Sequence, residues 1–227
     1  MDGVQLEITS VSAPEESRAP QRQPVVFLHE GLGSVAMWRD WPATVCQATG
    51  RSGWVYSRRG YGQSSPVAEK LPPDYLHGEA WDVLPALLDR LGAARPVLLG
   101  HSDGASIALL YASRFPVAAC IVMAPHVMVE DVSIESIAQA RDAFQDKSND
   151  LRQRLARYHA DVDGAFWQWN DAWLNPAFRS FDIREDCRHI SAPVLAIQGV
   201  EDPYGTMAQI DQIPLPQGQI SRLPLQG

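Results

Sequence analysis

The feature that most restricts the fold of this chain is a repeated alternation of short apolar runs with helix-patterned segments. Five such runs stand out: Pro24–His29, Gly53–Tyr56, Pro96–Leu99, Ala119–Met123 and Pro193–Ile197. Each is almost continuously apolar, which suits strands covered on both faces in a parallel sheet rather than half-exposed antiparallel ones. Between them the patterning predicts helices through Trp38 and Trp41 towards Cys46, over Asp74–Leu91 and over Gly104–Phe115. In the second of these, Leu76, Val83, Leu84, Leu87, Leu88 and Leu91 share one broad face. Pro85 is expected to kink that helix or shift its start. Strand, helix, strand in this rhythm implies an α/β fold: a mostly parallel central sheet with helices on both faces. A leading strand over Val4–Val11 and a last strand over Gln219–Leu225 complete the pattern, with a polar linker from Pro14 to Pro24 after the first.

The rhythm breaks between Val127 and His189. Ile134–Phe144, Leu151–His159 and Ala165–Leu174 look helical, with no strand among them. The expected organisation is therefore a discontinuous core, 1–127 and 190–227, carrying a small helical cap over 128–189. Phe166, Trp167, Trp169, Trp173 and Phe178 fall within that insertion. Most are expected to pack it onto the core, and one or two to line an apolar pocket.

Composition narrows the function classes. The chain has 227 residues, 45% of them hydrophobic and 20% charged, enough for one sizeable core and unlike a disordered chain. A net charge of −8 argues against nucleic acid as partner, because neutralising phosphates needs a basic face. The three cysteines, Cys46, Cys120 and Cys187, are odd in number and widely spaced, so neither a disulfide framework nor a zinc site is expected. No apolar run approaches the roughly 18 residues of a membrane span. The start of the chain lacks a signal-peptide pattern. A cytoplasmic monomer or homodimer, with no metal and no organic cofactor, is the expectation.

The sharpest chemical signal is Gly100-His101-Ser102-Asp103-Gly104. A G-x-S-x-G segment carries weight where a buried strand ends and a helix begins, and this one follows Val97-Leu98-Leu99 directly. A serine on such a tight turn needs neighbours without bulk two residues away on each side, and it projects at a helix N-terminus where negative charge is favoured. The second signal is the loop His29-Glu30-Gly31-Leu32-Gly33-Ser34. Acyl transfer needs two preorganised N–H donors where an oxyanion forms. One is expected from Asp103, the residue after the serine. The other is expected from Leu32, with Gly31 second. The loop does not fit a phosphate cradle, lacking both G-x-G-x-x-G and a G-K-[ST] ending. His29 is expected to be structural, its ring bonding loop backbone.

Taken together, the His29–Ser34 loop, the turn Arg59-Gly60-Tyr61-Gly62-Gln63-Ser64, the elbow at Ser102 and Gly199-Val200-Glu201-Asp202 resemble the α/β-hydrolase superfamily. The resemblance is to its cap-bearing branch of small-molecule esterases, lactonases and carbon–carbon bond hydrolases. It spans residues 24 to 202 apart from the cap. Glu30 looks like a one-residue insertion in the loop, and Ser57 stands where the family often has Asp. The family order is Ser, then Asp or Glu, then His, which makes Asp202 the implied acid and Asp131 the alternative. The implied mechanism is Ser-Asp-His acyl-enzyme chemistry on a small ester, lactone, thioester or activated C–C substrate.

The implied histidine is missing from its place. All six histidines (His29, His77, His101, His126, His159, His189) precede Asp202. The expectation is therefore a truncated form with little activity. The alternatives are a hydrolase-fold binding protein without catalysis, or an unusual base, for which His126 is first. His101 is expected to point into packing rather than towards substrate. Trp38, His126, Met128 and Trp169, with Leu32, are the expected pocket residues. Arg58, Arg59 and Arg141 are expected on the solvated surface.

Overall fold

The computed structural model describes residues 3–12 and 22–226, so residues 14–21 of the expected linker lie outside the described residues. Seven strands form one sheet: β1 (Ile8–Val11), β2 (Val25–Leu28), β3 (Gly53–Tyr56), β4 (Val97–His101), β5 (Ala119–Met123), β6 (Val194–Gly199) and β7 (Ile220–Leu225). Their spatial order is β1-β3-β2-β4-β5-β6-β7. Only β1 runs antiparallel to its neighbour; the other five pairings are parallel. The leading strand is shorter than its pattern. Residues 5 and 7 still lie alongside the turn after β3, accepting hydrogen bonds from the N–H groups of Ser65 (2.8 Å) and Ser57 (3.0 Å).

Side-chain alternation explains why the central runs are apolar throughout. Val25 and Phe27 point into one cluster with Cys46, Val55, Val97 and Leu99, while Val26, Leu28 and Leu98 point into the larger cluster on the other face. Helix α1 (Trp41–Thr49) covers the first cluster, preceded by a separate 3-10 turn at Val35–Trp38. The single helix expected there is broken because Arg39 adopts φ 51 and Pro42 opens a new first turn.

The long helix over 75–91 is continuous but not uniform. It runs as α2 (Tyr75–Gly78), a π turn (Glu79–Val83) and α3 (Leu84–Leu91). Pro85 has no N–H to donate to the carbonyl four residues back, and the ladder widens into the π turn just ahead of it. Helix α4 (Asp103–Arg114) follows β4 and is buried at ten of its positions, from Asp103 to Ala112.

Between β5 and β6 come α5 (Asp131–Gln145), α6 (Leu151–Leu155), α7 (Val162–Trp173), a 3-10 turn (Pro176–Ser180) and α8 (Arg184–Cys187). Their inner side chains Ile137, Phe166, Trp173 and Phe178 join the larger cluster, so this segment shares the core rather than resting loosely upon it. A short helix α9 (Ala208–Asp211) precedes β7. At that end of the sheet the covering stops: Leu223 and Leu225 are 44% and 48% exposed. All three cysteines are buried and free. Among the described residues no helix is long and apolar enough to cross a membrane.

Candidate active site

β4 passes into α4 through a single residue, Ser102, at φ 52 and ψ −118. A side chain in that region costs about 1–3 kcal/mol, so the surroundings must over-determine it. They do. The Ser102 N–H donates to the Met123 carbonyl at 2.9 Å, and its own carbonyl accepts from the N–H groups of Ala105 and Ser106. The flanking glycines are required by contact with backbone. A Cβ on Gly100 would stand 2.2 Å from the Gly104 carbonyl oxygen, and one on Gly104 would stand 2.1 Å from that of Leu28. Only a chain with hydrogen at both places can turn this sharply against the sheet.

The loop after β2 approaches the same point. Among the described residues the N–H groups of Leu32 and Asp103 meet no acceptor. The loop is locked from behind. The His29 Nε2 accepts from the Arg58 N–H at 2.9 Å, so its proton sits on Nδ1, which donates to the Glu30 carbonyl at 2.6 Å. Burial, reinforced by the charge of Arg58, holds His29 well below the ordinary histidine value and keeps it neutral. His159 reaches across from the helical segment. Its Nδ1 accepts from Gly62 N–H (3.0 Å), and its Nε2–H donates to the Leu32 carbonyl (3.0 Å).

Arg58 corrects an expectation. Rather than lying on the surface it is 3% exposed, and its guanidinium donates to the carbonyls of His29 (2.5 Å) and Glu30 (3.0 Å). One of its nitrogens is 3.8 Å from the buried Asp103 carboxylate. That carboxylate also accepts from Tyr75 Oη (2.7 Å) and Trp173 Nε1 (3.1 Å). The Asp103 side chain thus faces inward and belongs to a buried polar network with Arg58, Tyr75 and Trp173. No local pattern marks Arg58, Tyr75, Trp173 or His159 for these tasks, because each contact is made across at least 28 residues.

In front of the serine is a cavity of about 240 Å³. Gly31, Leu32, Ser102, His126, Trp169 and Asp202 line it, so sequence-distant candidates converge on one space. The Asp202 carboxylate accepts from Gln198 Nε2 (3.1 Å) and from the Tyr204 N–H (2.8 Å). Its loop is tethered to α5 by Ser133 and Ser136, whose hydroxyls donate to the carbonyls of Tyr204 and Pro203, each at 2.5 Å. Glu130 adds bonds from Thr206 and Gln209. Its partial burial would raise the carboxyl, but those bonds outweigh it and hold the group below its usual range.

The two histidines of the cavity are differently placed. His126 is 4% exposed and set edge-on to Trp173, and burial lowers its pKa against the pull of Asp103, Asp202 and Glu130. His101 does not point into packing as expected. It lines the cavity, with Nδ1 3.5 Å from a Glu30 carboxylate oxygen. Burial would raise Glu30, but the bond and charge of His101 bring it below the ordinary carboxylate value.

Three other expectations fail. Trp38 does not line the cavity; its 3-10 turn aims it at the opposite face of the sheet, stacked on Trp41 and edge-on to Phe27. Met128 is held aside by a β-bridge to Asp182 and by Gln209, which donates to its carbonyl. Asp131, the alternative acid, is 84% exposed at the start of α5 and paired with Arg179, away from Ser102.

Comparison with known proteins places the fold. A family model for the α/β hydrolase fold matches residues 23–175. The chain is 26% identical to the bifunctional esterase/perhydrolase DCH of Acinetobacter calcoaceticus, a match covering 81% of this chain and 76% of that one. It is 27% identical to the human serine hydrolase BPHL over 66% of this chain, spanning about half (53%) of that relative. The enol-lactonase of Burkholderia xenovorans superposes with a TM-score of 0.71 over 99% of this chain and 89% of that one, at 21% identity. With the family model spanning two-thirds of its length, the chain belongs to the α/β-hydrolase fold family.

Proposed function

We propose that this protein is a serine hydrolase acting on a small carbonyl substrate: an ester, lactone, thioester or activated C–C compound. The observation that carries the reading is Ser102, held at positive φ on the wall of a cavity that also receives Asp202 and the loop of Leu32. An esterase/perhydrolase and an enol-lactonase among the relatives support the substrate class. A cavity of about 240 Å³ suits a short acyl group rather than a polymer.

In this mechanism the Ser102 hydroxyl attacks the carbonyl carbon and gives its proton to an imidazole base. The N–H groups of Leu32 and Asp103 hold the oxyanion, each donor contributing about 2.7–4 kcal/mol to the transition state. The leaving group departs with the proton, and water then hydrolyses the acyl-serine. Asp202 orients the imidazole and stabilises its charged form. The segment 128–189 acts as a cap, closing the cavity with Trp169.

The base sets the expected rate. Positions 203–227 hold no histidine, His101 faces Glu30, and His126 is packed against Trp173. We therefore propose that these 227 residues, assayed as they stand, cleave esters slowly. Without a general base the Ser102 hydroxyl attacks unassisted, so turnover falls by orders of magnitude while what remains still passes through Ser102. The engagement of His101 with Glu30 and of His126 with Trp173 favours a second reading, a hydrolase-fold protein that binds its ligand without cutting it. Turnover of p-nitrophenyl acetate and butyrate separates the two. Slow hydrolysis abolished by Ser102→Ala supports the first, and a rate unchanged by Ser102→Ala overturns it. His126→Gln is expected to lower kcat/KM less than tenfold; a loss of a hundredfold or more would make His126 the base.

A further inference from the structure

The loop after β2 carries one charged side chain to which acyl transfer gives no task. Glu30 lines the Ser102 cavity and keeps 27% of its side chain exposed. Its carboxylate is held on the wall: it folds back over Gly33, where a Cβ would stand 2.6 Å from Oε2, and it faces His101 Nδ1 at 3.5 Å. Burial would raise the group, but His101 brings it below the ordinary carboxylate value, so it is charged at neutral pH. Little on the wall balances that charge. Among the described residues no lysine or arginine lines this cavity, and Asp202 adds a second carboxylate. His101 offsets Glu30 only while protonated, and burial pushes His126 towards its neutral form. Arg58 donates to the Glu30 carbonyl from behind, but it is 3% exposed and stands 3.8 Å from the Asp103 carboxylate, whose charge offsets its own.

A fixed charge of one sign selects among ligands. A cavity of about 240 Å³ keeps an acyl group within the roughly 8–10 Å over which salt screens charge, so a seated substrate feels this carboxylate. An anionic substrate would give up water to face a like charge, and a neutral or cationic one meets no such repulsion. Leu32 and Trp169 supply apolar wall for the rest of the acyl chain. We propose that Glu30 is a specificity-determining residue, restricting the Ser102 cavity to acyl groups that are uncharged or positively charged and turning away those that end in a carboxylate. The inference rests on the reading of this cavity as the acyl site and adds the charge of the substrate to it.

The probes are p-nitrophenyl pentanoate, p-nitrophenyl 4-(trimethylammonio)butanoate and mono-p-nitrophenyl adipate, compared on the full chain at pH 7.5. The kcat/KM for the adipate is expected at least tenfold below that for the pentanoate, and that for the cationic ester no lower than the pentanoate. Glu30→Gln should raise the adipate value at least fivefold and leave the pentanoate within twofold. Raising NaCl from about 0.05 M to about 0.5 M should shrink the discrimination in the unaltered chain, as it does for charge repulsion and not for steric fit. If Glu30→Gln fails to melt cooperatively, the salt series decides alone. Adipate turned over as well as pentanoate, or a discrimination left intact by Glu30→Gln or by salt, overturns the proposal. Binding of pentananilide and adipic acid monoanilide to the Ser102→Ala chain, followed by NMR, separates this inference from the hydrolase reading. The same charge order in binding, without ester turnover by the unaltered chain, sinks hydrolysis and keeps the selectivity; neither binding nor turnover overturns both.

Discussion

The two walls of the Ser102 cavity are built in different ways. On the serine side, position is set by close packing and buried charge: glycines pressed against backbone at Gly100 and Gly104, and Arg58 and Asp103 fully enclosed. On the acid side, Asp202 sits on a partly exposed loop, with Val200 and Tyr204 40% and 37% exposed, and hydroxyl and amide tethers hold it in place. Packed positions have no alternative arrangement, whereas tethers on an exposed loop exchange readily with water. The serine side should therefore tolerate change badly, and the acid side well.

Arg58→Met tests the contrast most severely. It leaves the Asp103 carboxylate without its neighbouring positive charge and two loop carbonyls short of a donor, and breaking a buried pair in this way costs about 3–5 kcal/mol. Chemical denaturation should show that loss; a change under 1 kcal/mol would erase the distinction between the walls.

Acid should strike the serine side next. Burial depresses His29, His126 and His159 below the ordinary histidine value of 6.5. The unfolded chain then binds protons that the folded chain refuses, so stability is complete above about pH 6.5 and falls as pH is lowered. The slope approaches about 1.4 kcal/mol per pH unit for each such group. Denaturation midpoints at pH 7.5, 6.5 and 5.5 check the direction. Glu79, raised by burial against the pull of Arg58, works the opposite way at lower pH.

Ser102→Gly sharpens the comparison. It removes the nucleophile and relieves the backbone strain at φ 52, so activity should vanish while stability rises by about 1 kcal/mol. Ser102→Ala, which keeps a Cβ, should abolish activity without that gain. The smallest effect belongs to the acid side. Ser136→Ala removes one exposed tether and should cost about 0.5 kcal/mol, with a modest fall in kcat/KM.

What the sequence revealed follows the same division. The sheet and the elbow were legible because each is written locally, as an apolar run and a glycine pair; Asp202, which shares a cavity with Ser102 and Leu32, was expected there only from the family order that the resemblance implies. Arg58 was misread because its burial depends on Glu30 and Asp103, 28 and 45 residues away. Trp38 was misplaced for a similar reason, since the break at Arg39 decides which face of the sheet it meets. The π turn was legible only as a disturbance near Pro85.

The central claim is that Ser102 is poised for attack beside two free N–H donors. The most direct test is reaction of the 227-residue chain with a fluorophosphonate, followed by peptide mass analysis. The account predicts a single covalent adduct on Ser102, formed slowly and absent in Ser102→Ala. No adduct after prolonged exposure, or an adduct on another residue, would contradict it.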